Sequence, residues 1–429
     1  MRNSMKSIFA ALVLATPLAL ASCEGALDDV LGEWSRPTPG NNNNNTTTST
    51  TIEHVEYTVS GTTASSSTKS LAEGEYTAVT SSLSSLSADK PYVVNDDITL
   101  DGNVNLTGDA KIILCDGKTL TINGYLGDST FPQTYSLSIY GQSGQTGKLI
   151  VKTTDGSYPI MVYDLKIHGG NISSKDVGTG YDTQGIFTEH NFDIYNGKIE
   201  AFGTMEGVMV NGGGTLTTYG GSLEATTSAS IFASGAGSEA IAGSVIMNGG
   251  TITATGGDAT ASSMPGGDAI YGTLTVNGGT LTATGGAGVG TIGGCGIVAY
   301  DLEINGGTVT AIGNVAEGIL VDNITLNGGN VSVTGGTNAN AIVVGYTTSG
   351  SMTITSDITS VELTISSATT NKINQWILEN SGAASFKLGT TNTYIGTTWS
   401  TLSIADGDSG DYDSSGISIS RSGLVLTLQ

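Results

Sequence analysis

Residues 244–257 read SVIMNGGTITATGG, 273–286 TLTVNGGTLTATGG, 301–313 DLEINGGTVTAIG and 323–336 NITLNGGNVSVTGG, one pattern stated four times. Working outward, the same turn recurs as His168-Gly169-Gly170, Tyr195-Asn196-Gly197 and Tyr219-Gly220-Gly221, ahead of the Asn-Gly-Gly triplets at Asn248, Asn277, Asn305 and Asn327. Successive triplets are 27, 24, 29, 29, 28 and 22 residues apart, a period that marks stacked repeats. Within each repeat apolar residues alternate with Thr: Leu274 and Val276 precede the turn, Leu281 and Ala283 follow it. Period two with one apolar face specifies a half-buried strand. A third short segment opens each repeat, as in Gly185-Ile186, Ala240-Ile241 and Gly296-Ile297, so three strands per repeat are expected.

Asn-Gly between alternating runs is also a hairpin signal. Hairpins, however, do not require the same residue types at the same offset in every repeat. Here Ile172, Ile199, Leu223, Ile252, Leu281, Val309 and Val331 all fall two positions past the turn, and Ala201, Ala225, Ala254, Ala283, Ala311 and Val333 four past it. Such columns form when each strand stacks in register on its equivalent, about 4.8 Å along an axis. The expected fold is all-β: a right-handed parallel β-helix of about 22–33 residues per coil, with an N-terminal helical cap and a C-terminal β cap. The turn glycines supply positive φ, and Asn248, Asn277, Asn305 and Asn327 are placed to pass amide hydrogen bonds from coil to coil.

The remaining segments follow from composition. Arg2 and Lys6 precede an apolar stretch from Ile8 to Ala21, which is a secretory signal rather than a membrane span. Leu20-Ala21-Ser22-Cys23 resembles the lipobox of bacterial lipoproteins, which implies cleavage before Cys23 and lipidation there. Glu24, Asp28 and Asp29 resemble acidic sorting signals for surface lipoproteins, so the expected address is the outer membrane, lipid-anchored and facing outward. Segments are expected as signal peptide 1–22, anchor and low-complexity tether 23–52, N-terminal cap 53–91, β-helix 92–370 and C-terminal cap 371–429. The cap reading rests on a Ser-x-x-Glu start at Ser70 with Leu71, Val79, Leu83 and Leu86 behind it.

Loss of Arg2 and Lys6 takes the formal charge of −23 to −25, which disfavours nucleic acid and leaves the lipid anchor as the only membrane contact. Cys115 and Cys295 read as small core residues rather than a disulfide or metal pair. The NGG-x-hydrophobic-x-Ala pattern from about Lys166 to Gly336 resembles repeat-rich bacterial surface proteins of the carbohydrate-binding-domain, pectate-lyase-like β-helix type. That resemblance implies the coil and an extracellular carbohydrate or glycosylated surface as partner.

Candidate chemistry is sparse. Residues 199–371 contain no Lys, Arg or His, so the cationic base of a uronate-eliminating β-helix is missing there. Asp301 and Glu303 share one strand face at i and i+2 and are the best alternative for a polysaccharide-cleaving acid pair. His190, between Glu189 and Asp193, reads as a surface histidine. Asp406, Asp408, Asp411 and Asp413 form the densest set of oxygen ligands, a solvated turn in preference to a Ca2+ site, and no other cofactor is expected. Tyr271 and Tyr300, in successive repeats, offer rings on which a sugar could stack, and the Thr rows make a flat hydroxyl face like that of ice-binding β-helices, interrupted by Glu200, Glu224 and Ile312. The expected function is surface carbohydrate binding or adhesion without catalysis; a purely structural rod and a carboxylate-based enzyme are the alternatives. Cys23→Ser should release the protein from the membrane fraction or leave it unprocessed, and fractionation that finds the normal anchored form would refute lipidation.

Overall fold

A computed structural model describes residues 51–344, apart from 129, 179–181, 229–234, 290–292, 338 and 340, and beyond them the backbone of short strands between 351 and 403. Cys23 and the Asp406–Asp413 turn lie outside the described residues. Among the described residues, eleven strands stack into one parallel sheet that runs from Ile98–Leu100 to Ile358–Ile365. Its register is the one the repeat columns require: Ile252 opposes Leu281, which opposes Val309, and Ala254 opposes Ala283, which opposes Ala311. Those six side chains, with Ile199, Leu223 and Val331, are buried, while Thr253, Thr282 and Thr310 on the alternate positions are only half-buried. The chain is a parallel β-helix.

The opening strands of each repeat form a second parallel sheet. In the early coils there are two of them, such as Gln184–Thr188 and Phe192–Ile194. From Ile241 onward they fuse into single strands, Ile241–Met247, Ile270–Val276 and Ile297–Ile304. The fusion follows from the spacing: the polar residues between the two strands in earlier coils shrink to Gly243 and then Gly272, so nothing remains to turn the chain. Three strands per repeat therefore hold for the early coils and again beyond Ile319–Leu326, which pairs with both Ile342–Val344 and Ser351–Ile354.

The third residue of every turn triplet is a glycine with φ between +69° and +100°. Close approach adds a second reason for it, since a Cβ on Gly279 would lie 2.5 Å from the Gly250 carbonyl oxygen in the coil beside it. The first residues of the triplets form one column whose chemistry changes along the axis. Tyr140, His168, Tyr195 and Tyr219 stack as rings, with centroids 4.4, 4.6 and 5.3 Å apart. The column then continues as an amide ladder in which Asn277 donates to Asn248 at 2.7 Å, Asn305 to Asn277 at 2.9 Å and Asn327 to Asn305 at 2.7 Å.

The expected helical cap is not formed. Ile52–Ser60 and Thr63–Leu71 make an antiparallel hairpin, and Thr77–Ala78 and Ser85–Leu86 already pair in parallel with Tyr92–Val93 and Asn105–Leu106. The Ser70-x-x-Glu73 signature falls at a strand end and a turn instead, where the Glu75 carboxylate accepts the Ala72 N–H at 2.7 Å. Val79 and Leu86, placed at near-helical spacing, enter the core as strand residues, so sheet pairing overrides local propensity. The hairpin lies along the ring stack: the Tyr57 N–H donates to His168 Nδ1 at 3.0 Å, and Asn196 donates to the Tyr57 hydroxyl at 3.0 Å. Ile52 and Leu71 pack with Val93, Ile113, Cys115 and Tyr140. Cys115 and Cys295 are both buried. At the far end, the backbone of Ser385–Leu388 pairs in parallel with Ser351–Ile354 and antiparallel with Leu402–Ser403.

Packing of the Ala column sets a stability test. Ala283→Leu forces extra methylenes into a filled coil and should cost about 1–3 kcal/mol, whereas Thr282→Ala on the outer face should cost under about 0.5 kcal/mol. Urea unfolding of both variants measures the contrast.

Candidate functional site

The pairing between Ile270–Val276 and Ile297–Ile304 steps from Gly272↔Ala299 to Leu274↔Leu302, so one extra residue is accommodated in the second strand. Bulges of this kind re-aim a side chain. Here the extra residue leaves Tyr300 49% exposed in the coil after Tyr271, which is 40% exposed. Their rings stand edge to face with centroids 6.3 Å apart, and their hydroxyls are 3.1 Å apart. The next outward positions of the same strand are Asp301 and Glu303, both exposed. Asn323 donates to Asp301 Oδ1 at 3.0 Å, and Asn327 to Glu303 Oε1 at 3.3 Å. The four residues singled out in the sequence thus share one outer face, joined by two amides from the following coil. That face offers aromatic rings beside planar hydrogen-bonding groups, the combination that recognises a ligand with one apolar face and many hydroxyls.

Asp301 and Glu303 project side by side from one strand, and each accepts an amide N–H from the following coil.

His190 is on the surface with Nδ1 3.1 Å from Asp164 and its ring stacked on Tyr163 at 5.4 Å. Among the described residues no three His, Cys, Asp or Glu side chains converge as a metal would require. The Thr face is flat and in register over Thr251, Thr253 and Thr255, Thr280, Thr282 and Thr284, and Thr308 and Thr310. Where Glu200 interrupts it, Lys175 and Lys198 grip the carboxylate at 2.9 and 2.8 Å, holding it below the usual carboxylate range through hydrogen bonds to Lys198 first and Lys175 second. A groove of about 250 Å³ opens there, lined by Lys175, Val177, Glu200, Phe202, Glu224 and Thr226.

Sequence reading missed a second column. Gln184, Glu206, Glu239, Asp268, Cys295 and Glu317 each stand two residues before the buried aliphatic residue that opens a coil. Gln184 and Glu206 are register partners, and the Gln184 amide donates to Glu206 Oε2 at 2.7 Å. Burial first, and then the neighbouring Glu239 charge, push the Glu206 carboxyl up to about 7 in spite of the Gln184 bond. Burial likewise raises Asp268 to about 6, with Glu239 and Glu317 adding to it against the backbone hydrogen bond from Cys295. The constant offset of acids from the coil-opening residue was visible in the sequence, but only once the opening strands were aligned. Phe131, 76% exposed beside Phe187 at 6.4 Å, left no periodic signal at all.

Compared with known proteins, the chain matches no family model, no curated protein and no solved structure.

The raised carboxyls have a pH consequence. A carboxyl whose folded value lies above its unfolded value of about 4.3 contributes stability below that value, lost as pH rises through the folded one. Glu206→Gln mimics the protonated form, so its stability relative to the wild type should grow between pH 4.5 and 7 and then level off, by on the order of 2–3 kcal/mol. His168, lowered to about 4 by burial and then by Lys166, works in the opposite sense in both proteins and cancels from the difference. Thermal melts of the two proteins across that range provide the measurement; a constant difference would show that Glu206 titrates normally.

Proposed function

We propose that the protein is a cell-surface lipoprotein that binds extracellular carbohydrate on its β-helix and does not turn it over. The observation that carries this reading is the exposed Tyr271–Tyr300 pair beside the Asp301–Asn323 and Glu303–Asn327 contacts. A pyranose presents one face of C–H groups and a rim of hydroxyls. The rings supply a surface for the first, and the carboxylates and amides supply partners for the second. The resemblance of the NGG repeat to bacterial carbohydrate-binding-domain proteins points the same way. So does the lipobox at Cys23, which would hold the coil at the outer membrane.

Absence of turnover rests on chemistry. With no Lys, Arg or His between Ile199 and Asn371, this face has no cationic group to abstract a proton or to polarise a leaving group. A single open face of this kind binds weakly, on the order of millimolar to micromolar, and gains strength from many copies on one surface.

A glycan array followed by titration calorimetry tests the proposal. Tyr271→Ala combined with Tyr300→Ala should weaken binding at least about tenfold with an unchanged unfolding midpoint, and incubation with the captured glycan should release no new reducing ends. Cleavage that disappears in Asp301→Asn or Glu303→Gln would make the protein an acid-pair hydrolase. Failure to capture any glycan would leave a structural coil.

A further inference from the structure

Tyr271 belongs to a column of its own. Register pairs run Phe187↔Met209, Met209↔Ala242, Ala242↔Tyr271, Tyr271↔Val298 and Val298↔Leu320. Every member is apolar, and the column stands outside the main core on the outer side of the strands that open each coil. Its five steps at about 4.8 Å span about 24 Å. Met209, Ala242 and Leu320 are part-exposed and Tyr271 is exposed, while Phe187 and Val298 are buried, Val298 against Cys295 and Ala316, with the exposed Tyr300 ring in its coil. At the N-terminal end Phe187 is overlain by Tyr158 and Phe131, at 5.9 and 6.4 Å between ring centroids. Phe131 is held out by a braced loop, in which the buried Asp128 carboxylate accepts the N–H groups of Thr130 at 2.9 Å and Thr134 at 3.0 Å.

Polar residues border the stripe on both sides. One border is the column Gln184, Glu206, Glu239, Asp268, Cys295 and Glu317, each three residues before its stripe residue. The other contains Ser244, Thr273, Asp301 and Asn323, linked by Thr273 donating to Ser244 at 2.9 Å and Asn323 to Asp301 at 3.0 Å.

Building on the glycan reading of the Tyr271–Tyr300 face, we infer that this stripe is an axial track for an unbranched polysaccharide lacking carboxylate and sulfate groups, seated from Phe131 to Leu320. The coil rise sets the repeat: one apolar residue per coil, with hydrogen-bonding groups beside it, matches a chain whose successive units each bring a C–H face and hydroxyl edges. Glu239 and Glu317 at one border and Asp301 at the other, with no Lys, Arg or His from Ile199 to Asn371, repel an anionic chain. A peptide strand finds no purchase, since the main-chain groups of these strands are already paired with the coils on either side and strand addition needs a free edge. A second copy would bring the same acids against themselves.

Size ladders of two to six residues test the track, using linear β-glucan, β-mannan and xylan oligosaccharides, with oligogalacturonate as the anionic ladder. An amphipathic basic peptide and sedimentation of the protein alone cover the other occupants. In at least one neutral ladder, affinity should rise at least tenfold (about 1.4 kcal/mol) from dimer to pentamer and then level off. Phe131→Ala, at an exposed position remote from the tyrosines, should weaken the pentamer at least about fivefold and leave the dimer unchanged. Oligogalacturonate should not bind at low salt. Equal affinity for dimer and pentamer, indifference to Phe131→Ala, or binding of the uronate ladder would overturn the track while leaving the tyrosine site standing. Failure of every ladder, or binding of the peptide or self-association in their place, would remove the glycan reading as well.

Discussion

Everything in this protein depends on strands of successive coils lying directly over one another. In-register parallel stacking places like over like, so each outward or inward position becomes a column about 4.8 Å in pitch. The turn enforces that pitch: the third residue of each triplet brings backbone so close to the preceding coil that no Cβ fits, as the 2.5 Å approach at Gly279 shows. With pitch set by backbone, the side chains decide only what each column does. The Ile and Ala columns fill the interior, the Thr columns make a neutral outer sheet, and the column of turn-leading residues bonds coil to coil as stacked rings and then as amides.

The change in that last column divides the coils by task. Where it consists of rings, the N-terminal hairpin covers it, and His168 is neutral because it accepts the Tyr57 N–H while burial lowers its basicity. Where it consists of Asn, from Asn248 onward, the opening strands are fused, the bulge at Tyr300 appears, and the candidate carbohydrate face lies on the strands that lead into the Asn turns, with Asn327 donating to Glu303. A column of acids, with Glu206 buried and Glu239, Asp268 and Glu317 half-buried, runs beside the same face. Burial raises the Glu206 and Asp268 carboxyls above the usual carboxylate range, and none of the residues from Ile199 to Asn371 carries a positive side chain to offset it.

Legibility in the sequence followed periodicity. The Ile and Ala columns, the turn glycines and the Asn ladder were readable because each recurs at a constant offset from the NGG turn. The hairpin was not: Ser70 and Glu73 carry a helix-start signature, and only the register partners Ile52 and Leu71, far apart in local pattern, reveal a sheet. Tyr271, Tyr300, Asp301 and Glu303 were visible as residue types, but their gathering on one face depends on a one-residue bulge that no period encodes. Phe131 and the acid column needed the coil-to-coil alignment before they meant anything.

The central claim is the register itself, and engineered cysteines read it directly. Thr282 and Thr310 oppose each other in adjacent coils, with Cα atoms about 4.8 Å apart, inside the range of about 4.4–6.8 Å that a disulfide spans. The account predicts that Thr282→Cys with Thr310→Cys cross-links readily under mild oxidation, and that Thr282→Cys with Ser332→Cys, two coils apart, does not. Ready cross-linking of Leu274→Cys with Thr282→Cys, the partners of a hairpin around Asn277-Gly278-Gly279, together with failure of the 282–310 pair, would contradict it.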